Sequence, residues 1–217
     1  MDATSTTQQP DVEDNDVTSL DAPHSVAGSA LDQTDQTDQT DQTDRIERLR
    51  QAAYRIRLNA LTMGEVQGQG YIGQALGVAD VLAVAYVDQL RHRPEDPHWP
   101  ERDRFLLSIG HYAIALYAAL AEAGIIPVEE LETYGSDESR LPMSGMASYT
   151  PGMEISGGSL GHGLAVATGM ALGLRHQGNP ARVYNLLSDG ELDEGSTWEA
   201  ALQALSLIHI SEPTRRS

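Results

Sequence analysis

The residues of this sequence best suited to chemistry lie where apolar runs give way to glycine. One such junction is Ser188-Asp189-Gly190, which follows Val183–Leu187 and leads into Glu191, Asp193 and Glu194. A carboxylate at a strand end offers an oxygen ligand to a hard cation such as Mg2+, and a glycine beside it lets backbone N–H meet phosphate oxygens. A second junction is Gly110-His111, after the apolar Arg104–Ile109. A third segment, "GGSLGHGLA", contains Gly158 and Leu160 and sets His162 between two glycines, so its backbone can be approached closely. Each has a plainer reading. Asp-Gly suits turns, acids crowding a helix start are favoured by its dipole and by solvent, and a histidine opening a helix is often structural. Glu199 lies further into the same helix, and Trp198 reads as a packing residue.

These residues need elements to position them. Arg45–Leu61 has the spacing of a basic amphipathic helix, with Ile46, Leu49, Ala53, Ile56 and Ala60 on one face. A glycine-rich connection, "MGEVQGQGYIGQALG", precedes a helix expected from about Val78 to Leu90, and three prolines keep "RPEDPHWPERD" irregular. Arg104–Ile109 reads as a buried strand and Ala113–Ala123 as an apolar helix, after which Pro127 opens a short acidic one. Residues 135–158 form a long loop of the kind that is more often functional than idle. A small-residue helix, the strand Arg182–Leu187 and a helix from about Ser196 complete the pattern. Strands alternating with helices imply an α/β fold with a parallel sheet flanked by helices, and such sheets bind ligands at their carboxyl ends. His111 and Asp189 each follow a strand on that edge.

Composition narrows the classes further. Of the net charge of −18, −11 falls in residues 1–44, which contain eleven acids and no Lys or Arg. That stretch, with Asp-Gln-Thr in register from Asp32 to Asp44, is expected to be a disordered acidic tail. The remaining −7 is ordinary for a soluble domain, and no basic face suggests nucleic acid. The absence of cysteine excludes disulfides and thiolate metal sites. The most apolar window, Ala75–Val87, contains Asp80 and is too short to span a bilayer, and the N-terminus lacks a secretory pattern. A cytoplasmic protein is the expectation.

Taken together, "RFLLSIGHYAIALYAAL", "TPGMEISGGSLGHGLAVATGMALGL" and "SDGELDEGSTWEA" resemble the amino-terminal half of transketolase, in the split form where that half is its own subunit. The resemblance covers residues 45–204 and implies the diphosphate-binding module of thiamine-dependent enzymes. It implies thiamine diphosphate and Mg2+ (or another divalent cation) as cofactors, with Asp189 as metal ligand and Gly158, Leu160, Gly190 and His111 at the cofactor. Glu194 and Glu199 match glutamates that link paired active sites, and with His111 they form the expected catalytic set. The chemistry implied is transfer of a two-carbon ketol unit between sugar phosphates, with the cofactor as electron sink. A pyrimidine-binding C-terminal subunit is the implied partner, in a homo- or hetero-oligomer.

The sequence departs from the family pattern in several places. Ser188 stands where the metal motif begins with glycine, Ile109 replaces a commonly polar neighbour of His111, and Tyr71 and Ser144 occupy the positions of two family histidines. Tyrosine and serine hydrogen-bond but do not titrate near neutrality, so an atypical donor or acceptor sugar is expected. The family's second metal ligand, an asparagine, lies beyond the residues present, and its aminopyrimidine-activating glutamate belongs to the partner. Residues 205–217, "LSLIHISEPTRRS", resemble the translation of a transposon-end sequencing adapter and are expected to be foreign, leaving an incomplete module inactive alone and His209 without a role. Competing readings are the α-subunit of a 2-oxo-acid dehydrogenase, a deoxyxylulose-phosphate-synthase-like enzyme, and a non-catalytic interaction module of the same fold. A receiver-type phosphorylation site at Asp189 is weaker, because no acidic cluster ends an earlier strand.

Overall fold

The computed structural model describes the backbone of residues 29–207 and the side chains of residues 41–207. The expectations for residues 1–28 and 208–217 lie outside these. In chain order the elements are α1 (Ser29–Gln67), α2 (Ile72–Val84), β1 (Arg104–Leu107), α3 (Ala113–Glu122), α4 (Gly163–His176), β2 (Val183–Leu186) and α5 (Gly195–Leu207). A π-helical turn, Ala85–Gln89, extends α2, and short 3-10 turns occupy Gly110–Tyr112, Val128–Thr133 and Gly190–Asp193.

Helix α1 begins well before Arg45. It runs back through the Asp-Gln-Thr repeat to Ser29, where the sequence led us to expect disorder, and forward to Gln67. Extending an existing helix costs far less than nucleating one, so a polar repeat can follow the apolar turns beyond it. Ala53, Ile56, Ala60 and Met63 are buried at helical spacing, whereas Ile46, expected on that face, is largely exposed. The glycine-rich connection shrinks to residues 68–71, because α2 starts at Ile72 instead of Val78. Gly64 makes the close helix approach possible: a Cβ there would lie 2.4 Å from Ile72 Cδ1.

Among the described residues the sheet has two strands. β1 and β2 pair in parallel, with Arg104 opposite Val183 and Leu107 opposite Leu186. β1 is fully buried, β2 only partly. Helix α3 is buried on every side from Ala113 to Leu120, as expected of a helix apolar all round. It packs against α2 and carries the chain away from the end of β1. No helix among the described residues is long and apolar enough to cross a membrane.

The amino ends of both strands are fastened by Asp103. Its buried carboxylate accepts the Arg182 backbone N–H at 2.7 Å, the Arg91 backbone N–H at 3.0 Å and the Arg91 guanidinium at 3.1 Å. Burial alone would push the Asp103 pKa up, but the bonds from Arg182 and Arg91 outweigh it and hold the carboxyl below its usual range. The stabilisation is therefore present above the unfolded-state pKa of about 3.9 and is lost as pH falls through the lower folded value. Asp103→Asn is expected to lower stability at pH 7 by about 1–3 kcal/mol. Urea midpoints should show the variant losing less than wild type on acidification below about pH 4.

Candidate functional site

The site is built where the carboxyl ends of β1 and β2 meet the glycine loop that precedes α4. Beyond β1 the chain turns through Gly110, and Gly157 crosses directly over it. A Cβ on Gly157 would lie 2.1 Å from Gly110 Cα, and one on Gly110 would lie 2.3 Å from the Gly157 carbonyl carbon. No side chain fits at either position. The long loop closes around this crossing: Gly145 N–H donates to Gly110 O at 3.3 Å, and Gly157 N–H donates to Gly145 O at 2.9 Å. Glu154 anchors the loop from outside through a bidentate pair with Arg102, at 3.1 and 2.9 Å. Burial pushes the Glu154 carboxyl up, while Arg102 and Arg104 pull it down.

A cleft of about 300 Å³ opens at this edge, lined by Ser108, Gly157, Gly158, Ser159, His162 and Gly163 among others. Of the expected cofactor residues, Gly158 lines it, exposed and with nothing within 4 Å of a notional Cβ. Leu160, half-buried, lies in the same loop. His162 also lines the cleft. A wider groove of about 780 Å³ runs beside β2 past Tyr184 and Asn185, and none of the candidate site residues lines it.

Asp189 lies three residues past the end of β2, exposed, on the carboxyl edge where the sequence placed it. Gly190, also exposed, opens the following 3-10 turn. No cluster of three or more His, Cys, Asp or Glu able to hold a metal occurs among the described residues. A metal held by Asp189 would take its other oxygens from a phosphate ligand, solvent or another chain. Gly158 lines the cleft and Gly190 adjoins Asp189 in the chain, and open backbone together with a carboxylate is a donor set that suits a diphosphate with a hard cation. Among those backbone groups, Asp189 would hold the metal and Gly158 and Gly190 would meet the phosphates.

His111 sits in the 3-10 turn after β1, half-buried, with its ring 4.7 Å from that of Tyr71 and 4.8 Å from that of Tyr112. Tyr71, at the start of α2, is half exposed. Ser144 is exposed, and its hydroxyl donates to Gly157 O at 3.4 Å. Tyr71 and His111 are thus in direct contact, and Ser144 touches the glycine that crosses behind His111. Glu194 and Glu199 are both exposed. Glu194 packs under the loop, since a Cβ on Gly161 (φ +77°) would lie 2.6 Å from the Glu194 Cβ.

Two residues of the site escaped the sequence reading. Glu191, taken with its acidic neighbours as part of a solvated helix start, is fully buried and joins Ser108, Gly161 and Ser188. The available signal was Ser-x-x-Glu spacing, the mark of a capping box. Ser108 stood in the Ser-x-Gly-His segment of the resemblance, but no role was read for it. Trp198, read as packing, is instead 56% exposed, with its indole N–H donating to Leu192 O at 2.7 Å. Helix α5 includes Leu205–Leu207, the first residues of the segment expected to be foreign.

The family described as transketolase, thiamine diphosphate binding domain, matches residues 49–208. The chain belongs to the transketolase family. It is 73% identical over 156 residues to the transketolase family protein y4mO of Sinorhizobium fredii, covering 72% of this chain and 56% of that one. The 6-deoxy-6-sulfo-D-fructose transketolase subunit SqwG of a Clostridium species is 42% identical, covering 68% of this chain and 54% of SqwG. One of the subunits of the apulose-4-phosphate transketolase of Actinobacillus succinogenes is 44% identical, covering 62% of this chain and 49% of its own length. The chain spans about half the length of these relatives. Among solved structures, transketolase from Campylobacter jejuni superposes with a TM-score of 0.67 at 33% identity, over 73% of this chain and 26% of that one. The expected fold, a parallel sheet with flanking helices from the diphosphate-binding module, is therefore the fold of this family member.

Gly157→Ala is expected to destabilise the chain by about 1–3 kcal/mol or more, because the added methyl meets backbone that cannot swing aside. Gly169→Ala, on the exposed side of α4 with nothing within 4 Å, is expected to raise stability by about 0.5–1 kcal/mol. Urea unfolding of the two variants provides the comparison.

Proposed function

We propose that this chain is the diphosphate-binding subunit of a split transketolase, moving a two-carbon ketol unit between sugar phosphates together with a pyrimidine-binding partner. The observation that carries this reading is the convergence of the three family segments on one sheet edge, with Asp189, Gly158 and His111 following from them. The names of the Clostridium and Actinobacillus relatives, each given as a subunit, support the split arrangement. Thiamine diphosphate, when bound with Mg2+, would supply a carbanion nucleophile and an electron sink.

The residues of the chain then divide the remaining work. Asp189 holds the metal, while backbone at Gly158, Leu160 and Gly190 seats the cofactor. His111 faces cofactor and substrate and moves protons at the reacting sugar. Glu194 and Glu199, exposed on and before α5, meet the neighbouring protomer and link paired sites. Tyr71 and Ser144 take the places of family histidines, so they hydrogen-bond sugar hydroxyls without titrating near neutrality. The Tyr71 ring packs against that of His111, tilted by 58°, so the phenol stands next to the histidine at that corner. An atypical sugar follows. The names of two relatives, which refer to 6-deoxy-6-sulfo-D-fructose and apulose 4-phosphate, support such a departure.

The test is calorimetric titration of thiamine diphosphate with Mg2+ into the assembled complex of both chains. Asp189→Asn is expected to weaken binding by at least about tenfold, and equal affinity in wild type and variant would overturn the assignment. A donor panel then addresses the substrate. Ordinary turnover of xylulose 5-phosphate with ribose 5-phosphate by the intact complex would refute the atypical sugar, whereas Tyr71→His is expected to raise that same activity.

A further inference from the structure

Glu191 is fully buried, and its carboxylate is shared by three segments distant in sequence. Oε2 accepts the Ser188 backbone N–H at 3.0 Å, and the Ser188 hydroxyl accepts the Glu191 backbone N–H at 3.3 Å. That reciprocal pair has the pattern of a capping box, set one residue before the N-cap Asp189, and it is completed by the serine that stands where the family motif has glycine. A cap, however, accounts for only one oxygen. Oε1 accepts the Gly161 backbone N–H at 3.0 Å, from 30 residues away, and the Ser108 hydroxyl, from 83 residues away. Ser108 Oγ in turn accepts the Gly163 N–H at 3.1 Å, and the Gly161 carbonyl accepts the Ser196 hydroxyl at 3.0 Å. There is no slack in this arrangement: a Cβ on Gly163 would lie 2.1 Å from Ser108 Oγ.

We propose that Glu191 is a positioning residue that sets the spacing between the Gly157–Gly163 loop and the Ser188–Gly190 turn. With no exposed surface it touches neither ligand nor solvent, so its effect is exerted through the groups it holds. Under the proposed function, on which this inference rests, those groups are the backbone that meets the diphosphate and the turn that presents the metal carboxylate. A carboxylate suits the task because it is acceptor-only, and each of its oxygens can take donors from different segments. Glutamine would not, since it turns a donor toward either Gly161 or Ser188.

The experiment is residue-resolved amide hydrogen exchange on the full chain, without cofactor, for wild type, Glu191→Ala, Glu191→Gln and Ser108→Ala. For either Glu191 variant, exchange at Gly161, Ser188 or both is expected to quicken about tenfold or more while α3 amides keep their wild-type protection. Ser108→Ala is expected to release the Gly163 amide in the same way. Unchanged exchange at both Gly161 and Ser188 overturns the proposal. So does loss of α3 protection in parallel with theirs, which marks a merely structural residue. Glu191→Gln preserves size and keeps the test decisive if Glu191→Ala does not fold. Titration of thiamine diphosphate with Mg2+ into the assembled complex gives the second readout, with affinity expected to fall about tenfold in Glu191→Gln. If wild type itself fails to bind, the functional reading is lost while the exchange data still decide the role of Glu191.

Discussion

Two glycines in contact determine the rest of this site. Gly110 and Gly157 cross backbone against backbone at a separation that excludes even a methyl group, and so the long loop closes directly on the end of β1. Everything the loop carries inherits its position from that crossing. Gly158 opens onto the cleft, Ser144 touches the crossing glycine, and His111 follows immediately on the other strand of the crossing. The charged anchors, Glu154 with Arg102 outside the loop and Asp103 with Arg91 at the far end of the strands, hold segments whose meeting point is already fixed by close packing.

The parallel strands and the helices after them could be read from the sequence because apolar runs of strand length end in glycine and small polar residues. The position of His111 and Asp189 just past the carboxyl ends of the two strands follows from that order alone. Helix limits were harder to see. Gly64, Gly73 and Gly77 sit inside α1 and α2, where they looked like punctuation; Gly64 serves a close approach between helices. A glycine that breaks a helix and one that lets helices touch are the same letter, and only a partner at 2.4 Å separates them.

Acidic residues posed the opposite difficulty. Glu191, Asp193 and Glu194 share composition and neighbourhood, yet Glu191 is fully buried while the other two face outward. Charge density at a helix start pointed to solvent, and it obscured which of these three carboxylates takes donors from distant segments. Spacing to Ser188 was the readable part of that network. Its ties to Ser108 and Gly161 depend on tertiary packing that no local pattern encodes.

The surface of α5 is of another kind. Leu202 is 71% exposed and Leu205 66%, beside the open indole of Trp198 and in the same helix as Glu199. The chain contains two tryptophans, and the other, Trp99, is held with the Arg93 guanidinium 3.9 Å over its ring. The molecule therefore has a fluorophore beside exposed leucines on α5 and a second one pinned elsewhere beneath a cation. Any body that settles on α5 shifts the emission of the first toward shorter wavelength and leaves the second unmoved, giving this face an optical signature of its own occupancy.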